Sequence, residues 1–202
     1  MKRFFYFLLT TTVLLTACSE QEKKLKKTSH SSIPDVIVNK SDLKYNHKTS
    51  IWTLNDYPFS GFAVSYYPNK NLKEKFGILN GRKQNEFIQW YTDGHFKNKS
   101  VYDKGRLHGS KKLWSSDSTH MLIAHYSYQE GKPHGEQKKW YVTGEVFKKM
   151  NLNQGKEEGL QQAFRKNGAL FANYEAKSGR IFGLKRGQLC YSLEDEKIQY
   201  KK

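Results

Sequence analysis

Two cysteines, Cys18 and Cys190, and seven histidines, His30, His47, His95, His108, His120, His125 and His134, are the residues whose types could carry covalent or metal chemistry. No His-Glu-x-x-His, Gly-x-Ser-x-Gly or phosphate-cradling glycine loop organises them. His108 and His134 stand at equivalent places, each just before a glycine in Gly105-Arg-Leu-His-Gly109 and Gly131-Lys-Pro-His-Gly135, which assigns them to turn geometry. Glu157 and Glu158 fall in a further turn without a partner for acid–base work. A soft-metal site joining Cys190 to His125 or Met150 would satisfy ligand preference, but no spacing supports it. The expectation is a non-catalytic chain with no cofactor and no metal.

Cys18 belongs to a different kind of chemistry. Met1-Lys2-Arg3 is a charged start, followed by an apolar run of 12 residues from Phe4 to Leu15. A bilayer span needs roughly 20 residues, so the run reads as a signal peptide. It ends in Leu15-Thr16-Ala17-Cys18, which resembles the lipobox of bacterial lipoproteins. The resemblance implies cleavage after residue 17 and lipidation of the Cys18 thiol, palmitate included. Several acyl chains anchor stably where one gives only marginal binding. Cys190 is then the one remaining thiol, which leaves no intramolecular disulfide. Between Leu189 and Tyr191 it reads as a small buried hydrophobe, with a reactive or intermolecular role as the alternative.

Residues 18–40 follow as the lipidated cysteine and a flexible tether, too polar to bury a core of their own. Lys23, Lys24, Lys26 and Lys27 lie close enough to the anchor to reach anionic headgroups, at about 1 kcal/mol each. Ser19 after the cysteine points to the outer membrane if the cell is Gram-negative. The expected location is the bacterial cell envelope, facing the periplasm or the exterior.

The elements behind the anchor are set by a repeat. The pairs Gly105/Gly109, Gly131/Gly135, Gly155/Gly159 and Gly179/Gly183 step by 26, 24 and 24 residues. One step back lies Gly81, with Asn85 in the second place, and before it only Gly61. Five residues past each second position stands an aromatic ladder of Tyr66, Trp90, Trp114, Trp140 and Phe164. Gly94, Gly144 and Gly168 follow in turn sequences, and positive φ at such glycines makes tight hairpins. Phe96, Leu122, Val146 and Leu170 come next, Leu122 after two extra residues in the Ser115–Ser118 stretch. Each unit reads as strand, tight turn, strand and a second turn carrying Gly-x-x-x-Gly. Alternation puts Val146, Met150 and Leu152 on the side that the ladder serves. The fold class is all-β, an elongated twisted antiparallel sheet of repeated β-hairpins with about 24 residues per unit.

Tyr128-Gln-Glu-Gly-Lys-Pro-His-Gly-Glu-Gln-Lys-Lys-Trp-Tyr-Val-Thr-Gly144 resembles a MORN repeat of the bacterial variant, and Tyr102 to Trp114 and Gln89 to Gly94 match its halves. The resemblance covers residues 57–183, with residues 41–56 as an N-terminal cap and 184–202 as a C-terminal cap and tail. It implies membrane attachment and protein scaffolding, with an envelope protein as partner. It also carries a toxin–antitoxin antitoxin label, which fits poorly with a lipid anchor outside the cytosol. Tyr91 and Tyr141 alternate with the ladder, so a binding surface is expected from Tyr66, Trp90, Tyr91, Trp114, Trp140 and Tyr141.

The formal net charge is +16, which suits anionic lipid, glycan or nucleic acid. Export argues against nucleic acid. Association with an anionic lipid or polysaccharide surface is the alternative to a protein partner. Lys138, Lys139, Lys148 and Lys149 read most simply as a solvated face and as edge protection.

Overall fold

The computed structural model describes residues 32–184, 191–194 and 197–200, the last two stretches by backbone pairing alone. Cys18, the tether to residue 31 and Cys190 lie outside the described residues. Described strands are β1 (Ile37–Asn39), β2 (Lys44–Asn46), β3 (Ile51–Leu54), β4 (Tyr57–Pro58), β5 (Gly61–Tyr66), β6 (Leu72–Leu79), β7 (Arg82–Trp90), β8 (Phe96–Asp103) and β9 (Arg106–Trp114). They continue as β10 (Leu122–Gln129), β11 (Lys132–Trp140), β12 (Val146–Asn153), β13 (Lys156–Glu157), β14 (Gly159–Phe164), β15 (Leu170–Lys177), β16 (Arg180–Leu184), β17 (Tyr191–Glu194) and β18 (Lys197–Tyr200). β5 to β16 pair in chain order as antiparallel neighbours of one 13-stranded sheet, in which β13 pairs with β12. The sheet is open, with β1 and β16 at the ends of its order. The all-β hairpin array expected from the glycine spacing is the fold.

Composition placed residues 37–39 in the tether, and there the structure differs. They form β1, parallel to β5 with Val38 opposite Ala63, and Val38 packs on the core. Its apolar side chain outweighs the polar sequence before it.

Two kinds of turn join the strands. At 80–81, 104–105, 130–131, 154–155 and 178–179 both central residues have positive φ, from +48° at Lys104 to +86° at Gly155. This is the two-residue hairpin turn whose twist matches the strands it joins. The glycine of the first four of these turns also ties units together. Its N–H donates to a carbonyl of the preceding unit: Gly81 to Phe59, Gly105 to Lys83, Gly131 to Leu107 and Gly155 to Pro133, at 2.7–2.8 Å.

The expectation that the second glycine of each pair belongs to the turn is corrected. Gly109, at φ +84°, sits inside β9 where the pairing with β8 skips, and Gly135 does the same in β11. These are bulges in which three residues, His108 to Ser110 or His134 to Glu136, face one on the partner strand. The two extra residues call for a left-handed backbone and leave the alternation of faces unchanged. Gly159 opens β14 at φ +82°, just after Glu158 interrupts the pairing with β12. Asn85 fills the same place at φ +61°, a conformation that asparagine tolerates better than most side chains. Two residues further, Gln137 and Gln161 close the bulges, each amide donating to its own glycine region and to the preceding strand.

Gly183 departs from the expected repeat role in another way. It lies inside β16, directly opposite Tyr174 in an unbroken register with β15, so it is neither a turn nor a bulge residue. Its φ is +101°, and a β-carbon there would approach the Asn173 carbonyl oxygen to 2.9 Å. Close approach of the neighbouring strand, on top of the left-handed backbone, is what calls for glycine at this position. Gly61 likewise stands at the start of β5, opposite Ile78, and not in a turn.

A second set of bulges corrects the side assignment. Phe87 to Gln89 pair regularly with β8, but Trp90 pairs with Phe96 and leaves Lys97 over; likewise Trp140 pairs with Val146 and leaves Phe147 over. One extra residue reverses the alternation. Val146 therefore stands opposite Trp140, whereas Met150 and Leu152, opposite Gln137 and Gly135, lie on the other face.

The main core lies on that other face at the N-terminal end. Leu43, Phe59, Ala63, Phe76, Ile78 and Phe87 are buried, with Trp52 and Leu54 of the three-stranded sheet β2–β3–β4 packed on them. Rings continue through it from Tyr45 to Trp52, Phe76, Phe87 and Tyr102, with centroids 4.7–6.1 Å apart. Beside it, Lys40, Glu74, Gln89, Asn98 and Ser100 form a hydrogen-bonded chain that satisfies the buried Glu74 carboxylate.

The residue after Tyr66, Trp90 and Trp140 is a clamp. Tyr67, Tyr91 and Tyr141 donate their hydroxyls to the carbonyls of Trp90, Trp114 and Phe164, each 23 residues on, at 2.8–3.0 Å. Ser115 occupies this place in the third copy and bonds to Asp117 within its own loop. Tyr91→Phe is expected to lower stability by about 1 kcal/mol, the net value of one such bond. A urea midpoint unchanged from wild type would show the clamp to be idle.

Candidate functional site

The register brings cations into a single line. Lys99 stands opposite Lys112, Lys112 opposite His125, His125 opposite Lys138, and Lys138 opposite Lys149. Directly opposed residues share a face, so these five side chains form one row across β8, β9, β10, β11 and β12. At about 4.8 Å per strand the row runs roughly 19 Å. It extends through Ile88 to Lys75 on one side and to Gln162 on the other.

The ladder lies on the same face. Trp90, Trp114, Trp140 and Phe164 come two residues after Ile88, Lys112, Lys138 and Gln162 on their strands, and Tyr66 two after Val64, which opposes Lys75. Phe96 joins Trp90 to Trp114, with ring centroids at 6.2 and 5.6 Å. The ammonium of Lys99 lies 4.8 Å from the Phe96 centroid, that of Lys149 6.0 Å from Phe164, and that of Lys75 5.0 Å from Phe62. Aromatic faces thus hold the lysine stems while the charges stay at the surface.

Like charges directly opposite one another destabilise a sheet. Within the row only Lys138 has a carboxylate partner among the described residues, Glu136 at 2.7 Å. At the centre of the row, His125 accepts or donates a bond with Ser110 Oγ at 3.0 Å. Burial holds its imidazole below the usual value and Lys112 pushes the same way; Glu136 pulls against them, and Lys138 adds a smaller push downward. The row presents a line of positive charge, backed by rings, that an extended anion or an anionic surface would neutralise.

Of the six residues expected to form the binding surface, Tyr66, Trp90, Trp114 and Trp140 lie on this face. The hydroxyls of Tyr91 and Tyr141 are engaged as clamps, and their rings lie under Lys97 and Lys166. The lysine row was missed because opposition across strands is set by register. Its local signal was present: in Lys111-Lys112, Lys138-Lys139 and Lys148-Lys149 adjacent residues must take opposite faces. Lys138 and Lys149 join the row, while Lys139 and Lys148 oppose each other on the other face. A second group, Asp93, His95 and His120, also comes together at two loops, with ligand atoms within 4.8 Å of one another.

No protein-family model, curated protein or solved structure matches this chain.

Proposed function

We propose that this chain is a non-catalytic, lipid-anchored protein of the bacterial envelope whose MORN-like array docks onto an anionic envelope component, headgroup or glycan. The observation that carries the reading is the row of Lys99, Lys112, His125, Lys138 and Lys149 beside the ladder aromatics. The directly opposed pairs Lys99/Lys112 and Lys138/Lys149 cost stability in the free protein, and a bound anion reduces that cost. An acidic envelope protein would meet the same face. This scaffold reading follows the MORN-like motif, and the half-exposed rings of Tyr66 and Phe96 favour it. Under either reading Cys18 supplies the anchor and the row supplies the docking.

Cys18→Ala is expected to release the protein from the membrane fraction at high salt, while the purified soluble form still binds anionic vesicles or an acidic glycan at low salt. Salt-sensitive capture by vesicles of phosphatidylglycerol, and none by phosphatidylcholine, supports the anionic-surface reading. A stoichiometric protein captured from solubilised envelopes, with no vesicle or glycan binding, overturns it in favour of scaffolding.

A further inference from the structure

The loops that follow β7 and β9 lie at the same end of neighbouring hairpins. The first, Tyr91 to His95, is closed by Tyr91 N–H to the His95 carbonyl and by Gly94 N–H to the Tyr91 carbonyl. Asp93 accepts the His95 N–H at 3.0 Å, which fixes its carboxylate beside the His95 ring. The second loop carries two extra residues and is stapled by Asp117, which accepts from Ser115 and Thr119. This staple turns His120 into the left-handed region, φ +47°, and sends its ring across to the first loop. His95 and His120 stack with centroids 3.5 Å apart and planes 7° from parallel. Asp93 Oδ1 lies 3.4 Å from His95 Nδ1, and Asp93 Oδ2 lies 3.6 Å from His120 Nε2. His120 Nδ1 is buried with no hydrogen-bond partner.

The repeat does not require these side chains. Equivalent loops carry Thr143 and Glu145, or Asn167 and Ala169, in the places of Asp93 and His95, and close with the same backbone bonds. Two imidazoles and one carboxylate are a donor set for zinc, nickel or copper(II) rather than for magnesium or calcium. Tetrahedral zinc with bonds of 2.0–2.1 Å needs donors about 3.4 Å apart. Asp93 lies at 3.4 and 3.6 Å from the two rings through different carboxylate oxygens, and the three ligand atoms lie within 4.8 Å of one another, so a small movement gathers them.

We infer that Asp93, His95 and His120 form a transition-metal site of zinc type that ties the two loops together, with open positions left to water. Because a metal lies in the plane of each imidazole it binds, two parallel rings cannot share one ion. Binding therefore fans one ring out of the stack by rotation at its side-chain bonds, which both exposed loops permit. The stacked pair is the metal-free form of the site.

Full-length protein purified in detergent and stripped with chelator is titrated with zinc chloride by calorimetry, and the histidine ring nitrogens are followed by NMR. One saturable site is expected, shifting the ring signals of His95 and His120, with no response to magnesium. The double change His95→Ala and His120→Ala is expected to weaken it about 100-fold, and Asp93→Asn about tenfold, each a direct loss of a ligand. Ring signals of both residues unmoved at ~1 mM zinc, where even a weak site would register, overturn the proposal. Equal zinc affinity in the double variant also overturns it. The NMR measurement on wild type needs no variant to fold.

Discussion

Replacing Lys99, Lys112, Lys138 and Lys149 together by Gln is expected to lower affinity for anionic vesicles about 1,000-fold, at about 1 kcal/mol per cation near a charged surface. The same variant should melt no lower than wild type, because the replaced residues repel one another across the strands. That combination, lost binding with stability kept or raised, separates a docking face from a merely solvated one. If the variant binds as wild type does, the row is not the docking face. His125 adds a pH signature. In the free protein its imidazole is held low by burial and by Lys112 and Lys138. A bound anion favours the protonated ring, so binding takes up a proton. Affinity should rise as pH falls through the range between the imidazole's pKa in the complex and its depressed pKa in the free protein. His125→Gln should flatten that dependence, and an equally steep profile in the variant would exclude His125 from it.

Phe76→Ala is expected to cost about 3–5 kcal/mol, since a large buried ring is removed from a packed site. Phe76 is 1% exposed and touches the rings of Trp52 and Phe87, so it joins the three-stranded sheet to the long one. In a repeat array each unit leans on its neighbours alone, so the damage should stay local. Hydrogen exchange should quicken in β3 to β7 and change little in β14 and β15, whose small cluster is Ala163, Ala172 and Tyr174. Uniform quickening would instead mean that the sheet unfolds as one cooperative block.

The period of Gly105, Gly131, Gly155 and Gly179 was enough to read hairpins and their chain order. Local chemistry explains why: a glycine at positive φ and an aromatic at fixed distance leave few alternatives to a strand–turn–strand unit. What stayed hidden depends on counting across strands. The extra residues Lys97 and Phe147 reverse the alternation, and no propensity marks a bulge in advance. Gly109 and Gly135 read as turn glycines because a bulge and a turn want the same backbone. Gly183 read so for a related reason, since its close neighbour, the Asn173 carbonyl, belongs to the strand before it. Tyr91 and Tyr141 read as surface residues because their acceptors lie 23 residues away. His95 and His120 met only because the Ser115–Ser118 stretch lengthens one loop.

The bonds from Gly81, Gly105, Gly131 and Gly155 to the unit before give these units the same donor and the same kind of acceptor at each joint. Such a unit is a cassette: copies can be duplicated or lost without redesigning a joint. Each added pair of strands that carries lysine at these positions would also lengthen the row. Reach along an anionic polymer, and with it avidity, would then be set by gene length rather than by refining any one contact. With the row as the docking face proposed above, a lineage could tune its grip on an anionic surface by counting repeats.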